Sequence, residues 1–330
     1  MKAVVCEKWG DPADVLQVRD LPTPEPGPGQ VRVRMLVSPV NPSDLLMVSG
    51  VYGRLPPLPA VPGFEGVGVV EAGSGLVARL RMGRRVAVPN GNGGDWAEQV
   101  VVSARQVWPV PSSLTDEQAA TFFVNPASAL VMTRYILRVP PGAWLLQTAA
   151  GSALGRMVIR LGRLFGFRTI NVVRRREQAE ELKREGADAV IATGEESLVE
   201  RVQTLTEGQG APFALDAVGG RPGSEVVSTL APGGRMLVYG TLSGEPMTID
   251  SRTLMVGRKR IEGFWMSEWV RKQSVPTMFF LFRKLGQLIQ SGVLATEVGA
   301  TFPMNDVRAA VRQAAQAGRQ GKVLLRIGSR

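Results

Sequence analysis

The chain has 330 residues, 44% of them apolar and 21% charged, with no histidine and one cysteine, Cys6. It is long enough for two domains with buried cores. The composition excludes an intramolecular disulfide, a Cys/His zinc site, a Ser–His–Asp triad and proton transfer by histidine. A formal charge of +10 suits anionic ligands such as nucleotide phosphates, coenzyme A or an acidic carrier protein, or reflects only an arginine-rich surface.

No apolar run approaches the roughly 18–20 residues that span a bilayer. The start, MKAVVCEKWG, lacks the long apolar stretch of a signal peptide, so a cytoplasmic protein without membrane association is expected. The basic residues are scattered and carry no nucleic-acid motif, so no nucleic-acid partner is expected. A carboxylate-only magnesium site stays formally open, but no acidic cluster suggests one, and no metal is expected.

To about residue 115 the chain is rich in Val, Pro and Gly. VRVRMLV (31–37), GVGVVEAG (66–73) and RRVAVPN (84–90) alternate with turn signals and predict a β-rich domain. Cys6 reads as a quiet strand residue. Asn41 and Asp44 read as caps of the helix that follows. A helix is predicted over 115–137, with Thr115 or Asp116 as its N-cap.

Strands and helices then alternate. Strands are predicted at 143–149, 168–173, 187–193, 212–218 and 234–240, with a sixth at 259–265. Helices are predicted at 153–166, 176–187, 196–207 and 221–230. Such alternation implies an α/β fold with a doubly wound parallel sheet. Helices at 275–291 and 305–317 and a strand at 322–327 form a tail expected to rejoin the first domain. The expected domains are 1–120 with 266–330, and 121–265.

The turn after the first of these strands reads QTAAGSALGR (147–156). The dinucleotide fingerprint GxGxxG places glycines where this chain has Ala150, Ser152 and Gly155. Only the third glycine remains, so the turn is either merely structural or a variant phosphate cradle. The helix start offers N–H groups and a favourable dipole to a pyrophosphate, and the Ser152 hydroxyl could donate to it. Gly151, Ala153 and Leu154 complete the candidate loop. At the end of the second strand an NAD-binder carries an acid; here stand Arg174, Arg175 and Arg176. Guanidinium groups bind a 2′-phosphate bidentately, which favours NADPH over NADH. The alternative is a solvated basic helix start, although positive charge there opposes the helix dipole.

Taken with NPSD (41–44), GFEGVGVVEAGSG (63–75) and GKVLL (321–325), these features resemble the medium-chain dehydrogenase/reductase superfamily over nearly the full length. Its zinc members carry a GHE motif where this chain has Gly63-Phe64-Glu65. The zinc lobe cysteines are missing as well. The chain is similar to zinc-free members. SGVYGRLPPLPAVPGFEGVG (49–68), FFVNPASA (122–129), the A-x-x-S-x-x-G turn and GFWMSEW (263–269) most resemble the 2-enoyl thioester reductases. Quinone oxidoreductases share the tyrosine segment but usually lack GFWxSxW. Ala153 departs from the family loop, where glycine is usual.

The resemblance implies a GroES-like catalytic domain beside a Rossmann domain, NADPH as cofactor, and a homodimer. It implies Tyr52 as the catalytic tyrosine, with Trp265 lining the reaction pocket and Phe264 and Met266 beside it. It implies cofactor contacts from Asn125, from Tyr239, Gly240, Thr241 and Leu242, and from Lys322. Tyr135 fits a helix face. Glu65 acquires no role from this reading. The expected activity is NADPH-dependent reduction of the C2=C3 bond of 2-enoyl thioesters on coenzyme A or acyl carrier protein. The alternatives are an NADPH:quinone oxidoreductase and a non-catalytic NADPH-binding sensor.

Overall fold

A computed structural model describes residues 1–316 and 318–328. Its strands, in chain order, are β1 (Lys2–Cys6), β2 (Leu16–Asp20), β3 (Gln30–Pro39), β4 (Glu65–Gly73), β5 (Arg85–Pro89), β6 (Gln99–Ser103), β7 (Trp108–Pro109), β8 (Trp144–Gln147), β9 (Arg168–Val173), β10 (Ala189–Ala192), β11 (Ala211–Asp216), β12 (Leu230–Val238), β13 (Arg260–Gly263), β14 (Val298–Pro303) and β15 (Lys322–Arg326). They fall into two compact units, Met1–Asn125 with Phe279–Arg330, and Pro126–Met278.

The first unit holds the β1–β2 hairpin and a sheet ordered β14-β15-β3-β4-β5-β7, with β6 also on β3. β3 shows why. Its sequence QVRVRMLVSP alternates, burying Val31, Val33 and Met35 while Arg32 and Arg34 reach outward. Arg34 ion-pairs Glu71 of β4 at 2.7 Å. Val70, Val86, Val88 and Val100 pack against the buried valines of β3. On the other core Trp96 is fully buried with Met47, Leu16 and Leu325, and its Nε1 donates to the Pro39 carbonyl. The chain's tail joins here, because β15 pairs antiparallel with β3, Leu324 facing Pro39.

The second unit is a parallel sheet ordered β10-β9-β8-β11-β12-β13. Its strands are runs of buried β-branched and small residues, as a sheet covered on both faces requires. The order reverses beside β8, so β8 and β11 flank the switch point where ligands of such sheets bind. The helix Ala153–Phe165 buries Leu154, Met157, Val158, Ile159 and Leu161 and stops at Gly166 in a left-handed conformation, φ 78°. No helix among the described residues is long and apolar enough to cross a membrane.

Three differences from expectation stand out. The units divide after Asn125 and Met278, not at 120/121 and 265/266, since the helix Met266–Arg271 stays with the parallel sheet. The segment 115–137 is not one helix. It runs as Asp116–Ala120 and Val124–Leu130, then as a π-helical turn over Val131–Ile136. Pro126 explains the break, because in a continuous helix it would lack a donor and clash with the carbonyl four residues earlier. The helix predicted over 305–317 spans Val307–Ala315, with Ala317 outside the described residues.

Candidate active site

The turn after β8 is built tightly. Ala149 adopts φ 50°, a left-handed conformation that costs a residue with a Cβ about 1 kcal/mol. Ala150 follows, fully buried, its N–H donated to the Val172 carbonyl of β9. Ser152 is the N-cap of the next helix, its Oγ accepting from Gly155 N at 3.1 Å. The oxygen is thus engaged as an acceptor, while its O–H stays a donor. Gly155 is obligatory, since a Cβ there would lie 2.4 Å from the Ala150 carbonyl oxygen. At Gly151 a Cβ would meet the Gln178 amide at 2.8 Å. Under the turn, buried Gln147 donates to the Gly155 carbonyl (2.9 Å) and to Asn171 Oδ1 (2.7 Å). A helix of 13 residues therefore opens behind a close-fitting, small-residue turn, the arrangement that receives phosphates.

Arg174, Arg175 and Arg176 follow β9 and are all exposed. Arg176 pairs with Glu195 at 3.3 Å. The helix behind them carries Glu177 and Glu180 in its first turn, so acids offset part of the unfavourable charge expected there. At the end of β12, Tyr239 N donates to the Asp216 carbonyl. Its ring is partly exposed, but its hydroxyl is buried without a hydrogen-bond partner among the described residues. Burial and the nearby Asp216 push this phenol above its ordinary range. Gly240 passes so close to Ala217 that a Cβ would meet its carbonyl at 2.6 Å. Thr241 and Leu242 are exposed, and Leu242 N donates to the Ala217 carbonyl. Beyond β13, Phe264 N donates to the Val238 carbonyl, and half-buried Trp265 directly precedes the helix that starts at Met266. Tyr135 lies in the π-helical turn, edge-on to Trp269.

The other sequence-derived residues lie in the first unit. Tyr52, half-buried in its Gly- and Pro-flanked loop, packs on Phe64 with ring centroids 5.1 Å apart. The next residue, Glu65, opens a polar cluster that the sequence did not disclose. Its Oε1 accepts from Asn41 Nδ2 at 3.0 Å. Its Oε2 accepts from the backbone of Phe123 (3.1 Å) and Val124 (2.8 Å), immediately before Asn125. Asn41 Oδ1 in turn accepts from Lys322 Nζ at 2.5 Å. Lys322 is 3% exposed, and its ammonium faces Asn41. Burial lowers its pKa to about 8, with Arg319 pulling the same way and Glu65 and Asp44 opposing. Asp44 does more than cap, accepting from both Asn41 N (2.7 Å) and Phe64 N (3.0 Å). Lys322 and the start of the Asn125 helix, far apart in sequence, are brought together. Cys6 sits buried in β1.

A turn suited to a nucleotide's phosphates, at the switch point of a doubly wound sheet, in a chain that also holds a β-rich unit, is the arrangement a dinucleotide-dependent oxidoreductase needs. Residues 27–112 match the alcohol dehydrogenase GroES-like domain and residues 153–284 the zinc-binding dehydrogenase model. The mitochondrial enoyl-[acyl-carrier-protein] reductase of Rattus norvegicus is 35% identical over 316 residues, covering 94% of this chain and 84% of that protein. A putative NADPH:quinone reductase from Bacillus thuringiensis superposes with TM-score 0.93 at 37% identity, covering 99% of both chains. A mycobacterial protein solved with NADPH superposes with TM-score 0.89 at 27% identity, covering 99% of this chain and all of that one. The chain belongs to the medium-chain dehydrogenase/reductase family.

The zinc in one matched description does not fit these residues. Phe64 stands at the histidine of GHE, the one cysteine donates a hydrogen bond to the Lys8 carbonyl in the first hairpin, and the cation beside Glu65 and Asp44 is the Lys322 ammonium.

Proposed function

We propose that this enzyme reduces the C2=C3 double bond of 2-enoyl thioesters with NADPH, the acyl group being carried on coenzyme A or acyl carrier protein. The likeness to an enoyl reductase across 94% of the chain carries the reading. Bound NADPH supplies the hydride for the β-carbon. The chain supplies everything else. The amides at the start of the helix Ala153–Phe165 hold the pyrophosphate, and Arg174–Arg176 hold the 2′-phosphate. Tyr239–Leu242 lie along the cofactor, and Asn125 makes a polar contact on its nicotinamide side. Trp265, with Phe264 and Met266, lines the pocket. Negative charge develops on the thioester oxygen during reduction, and a chain without histidine has few groups to meet it. The Tyr52 O–H donates a hydrogen bond to that oxygen, or supplies the α-carbon proton directly or through water. Phe64 holds the Tyr52 ring in place. A homodimer in the cytoplasm is the proposed setting.

The superposition on a putative NADPH:quinone reductase favours a second reading, quinone reduction on the same scaffold. The deciding experiment follows NADPH oxidation with crotonyl-CoA, longer enoyl-CoAs and 1,4-quinones side by side. Crotonyl-CoA should turn over, and Tyr52→Phe should slow it about 100–1000-fold, the usual cost of one oxyanion donor. Quinones reduced far faster, together with a neutral Tyr52→Phe, would move the assignment to quinone reduction.

A further inference from the structure

The helix carrying Asn125 starts without a capping side chain of its own. Its first amides have no carbonyl within the helix, and the residues before it are Phe122 and Phe123, which cannot cap. Glu65 does so from 58 and 59 residues away, taking the N–H groups of Phe123 and Val124 on one oxygen. The carboxylate is 2% exposed and is itself held on two sides. Its backbone belongs to β4, paired with Pro89 of β5, and its other oxygen is bound by Asn41. Phe123 and Phe122 also lie parallel to Phe282, with centroids 5.2 and 6.0 Å away. Residues 122–124 are thus gripped through both side chains and amides.

The cluster has a direction. The Lys322 ammonium can only donate, so the Asn41 amide turns its oxygen to Lys322 and its NH2 to Glu65. Glu65 must then accept on both oxygens. A neutral amide at position 65 would face Asn41 donor to donor, unless residue 41 were the acid. We infer that Glu65 is a positioning residue for Asn125, fixing the first turn of its helix through the chain Lys322–Asn41–Glu65. The inference rests on Asn125 being the nicotinamide-side contact. Displacements near 1 Å at a reacting group can cost about 100-fold in rate, and a turn held by one carboxylate is open to that loss.

The test is a cycle on the full-length enzyme with NADPH and whichever of crotonyl-CoA or a 1,4-quinone the wild type turns over. Glu65→Gln, Asn125→Ala, their combination and the swapped pair Asn41→Asp with Glu65→Gln are compared by single-turnover hydride transfer, NADPH Kd and thermal melting. Glu65→Gln should slow hydride transfer about 10–100-fold while NADPH Kd moves less than about threefold. It should add nothing once Asn125 is alanine. The swapped pair restores every hydrogen bond with the charge moved by one residue, and should recover most of the rate.

Additive losses, a change in melting temperature alone, or no recovery in the swapped pair would each overturn the inference. Should Glu65→Gln fail to fold, the swapped pair decides: a near-normal rate supports the role, and a slow but folded enzyme removes it. An Asn125→Ala enzyme with unchanged rate would instead remove the reading of Asn125, and this inference with it.

Discussion

Two buried carboxylates, one in each unit, do similar work by different means. Asp216 ends β11 and is fully buried. Its oxygens accept from Val218 N (3.1 Å) and Gly219 N (2.9 Å), just before the helix Gly220–Thr229, and from the Thr148 hydroxyl at 2.6 Å. Glu65 likewise takes two amides where a helix begins. The turn around Asp216 is local, its added donor is a neutral hydroxyl, and the helix behind it has ten residues. Glu65 reaches across the sequence to a helix of seven residues and has the Lys322 ammonium behind its amide partner. A local turn satisfies a buried carboxylate with dipoles alone. A remote one draws on a counter-charge as well.

Removing that counter-charge should therefore have the largest effect. Lys322→Met leaves Glu65 buried without its cation, and breaking such a pair from one side typically costs about 3–5 kcal/mol. Urea unfolding followed by tryptophan fluorescence would measure it, with Trp96 buried in the same unit. A cost below about 1 kcal/mol would mean that the amides alone satisfy Glu65, and the contrast with Asp216 would disappear.

The same cluster predicts a pH dependence. Asp44 is fully buried beside Lys322 and Glu65, with Asp95 also in range. Burial raises its pKa to about 7. The amides of Asn41 and Phe64 and the Lys322 charge pull it down, and Glu65 pushes it further up. The folded pKa lies above the unfolded value of about 3.9. Its contribution to stability is then fully present below about pH 4 and lost as pH rises through about 7. Asp44→Asn cannot titrate, so the stability of wild type minus that of Asp44→Asn should fall between pH 4 and 7. The expected fall is on the order of 2–3 kcal/mol, because neighbouring groups share the titration. A flat difference would mean that Asp44 stays ionised throughout.

The sequence was most informative where physics is local. Alternating apolar runs placed the parallel sheet, with the strand 168–173 matched end to end. The third glycine of the turn could be read because a helix packed on its own preceding turn leaves no room for a Cβ. Lys322 was singled out by resemblance, but not its burial, since one lysine before an apolar run looks the same solvated or buried. Glu65 was visible within Gly63-Phe64-Glu65, yet its partners lie 24, 58 and 59 residues away and only the folded sheet collects them. One signal was available: Pro126 inside the predicted 115–137 helix forbids continuity and leaves a helix start needing an acceptor. Tertiary pairing chose which one.

The smallest expected effect tests the neutral half of the comparison. Thr148 Oγ donates to Asp216 and accepts from Ala217 N at 2.9 Å. Thr148→Val keeps the shape and removes both bonds, leaving a buried amide unpaired and Asp216 with two backbone donors. Such a loss is worth about 1–3 kcal/mol, less than the loss of a buried counter-charge. Thr148→Ser keeps the hydroxyl and gives up one methyl, so it should cost no more than about 1 kcal/mol. The order Lys322→Met, then Thr148→Val, then Thr148→Ser is the prediction, read from urea midpoints at constant m-value. If Thr148→Val proved as damaging as Lys322→Met, burial and hydrogen-bond number would govern both carboxylates, and the charge on Lys322 would have no special part in holding Glu65.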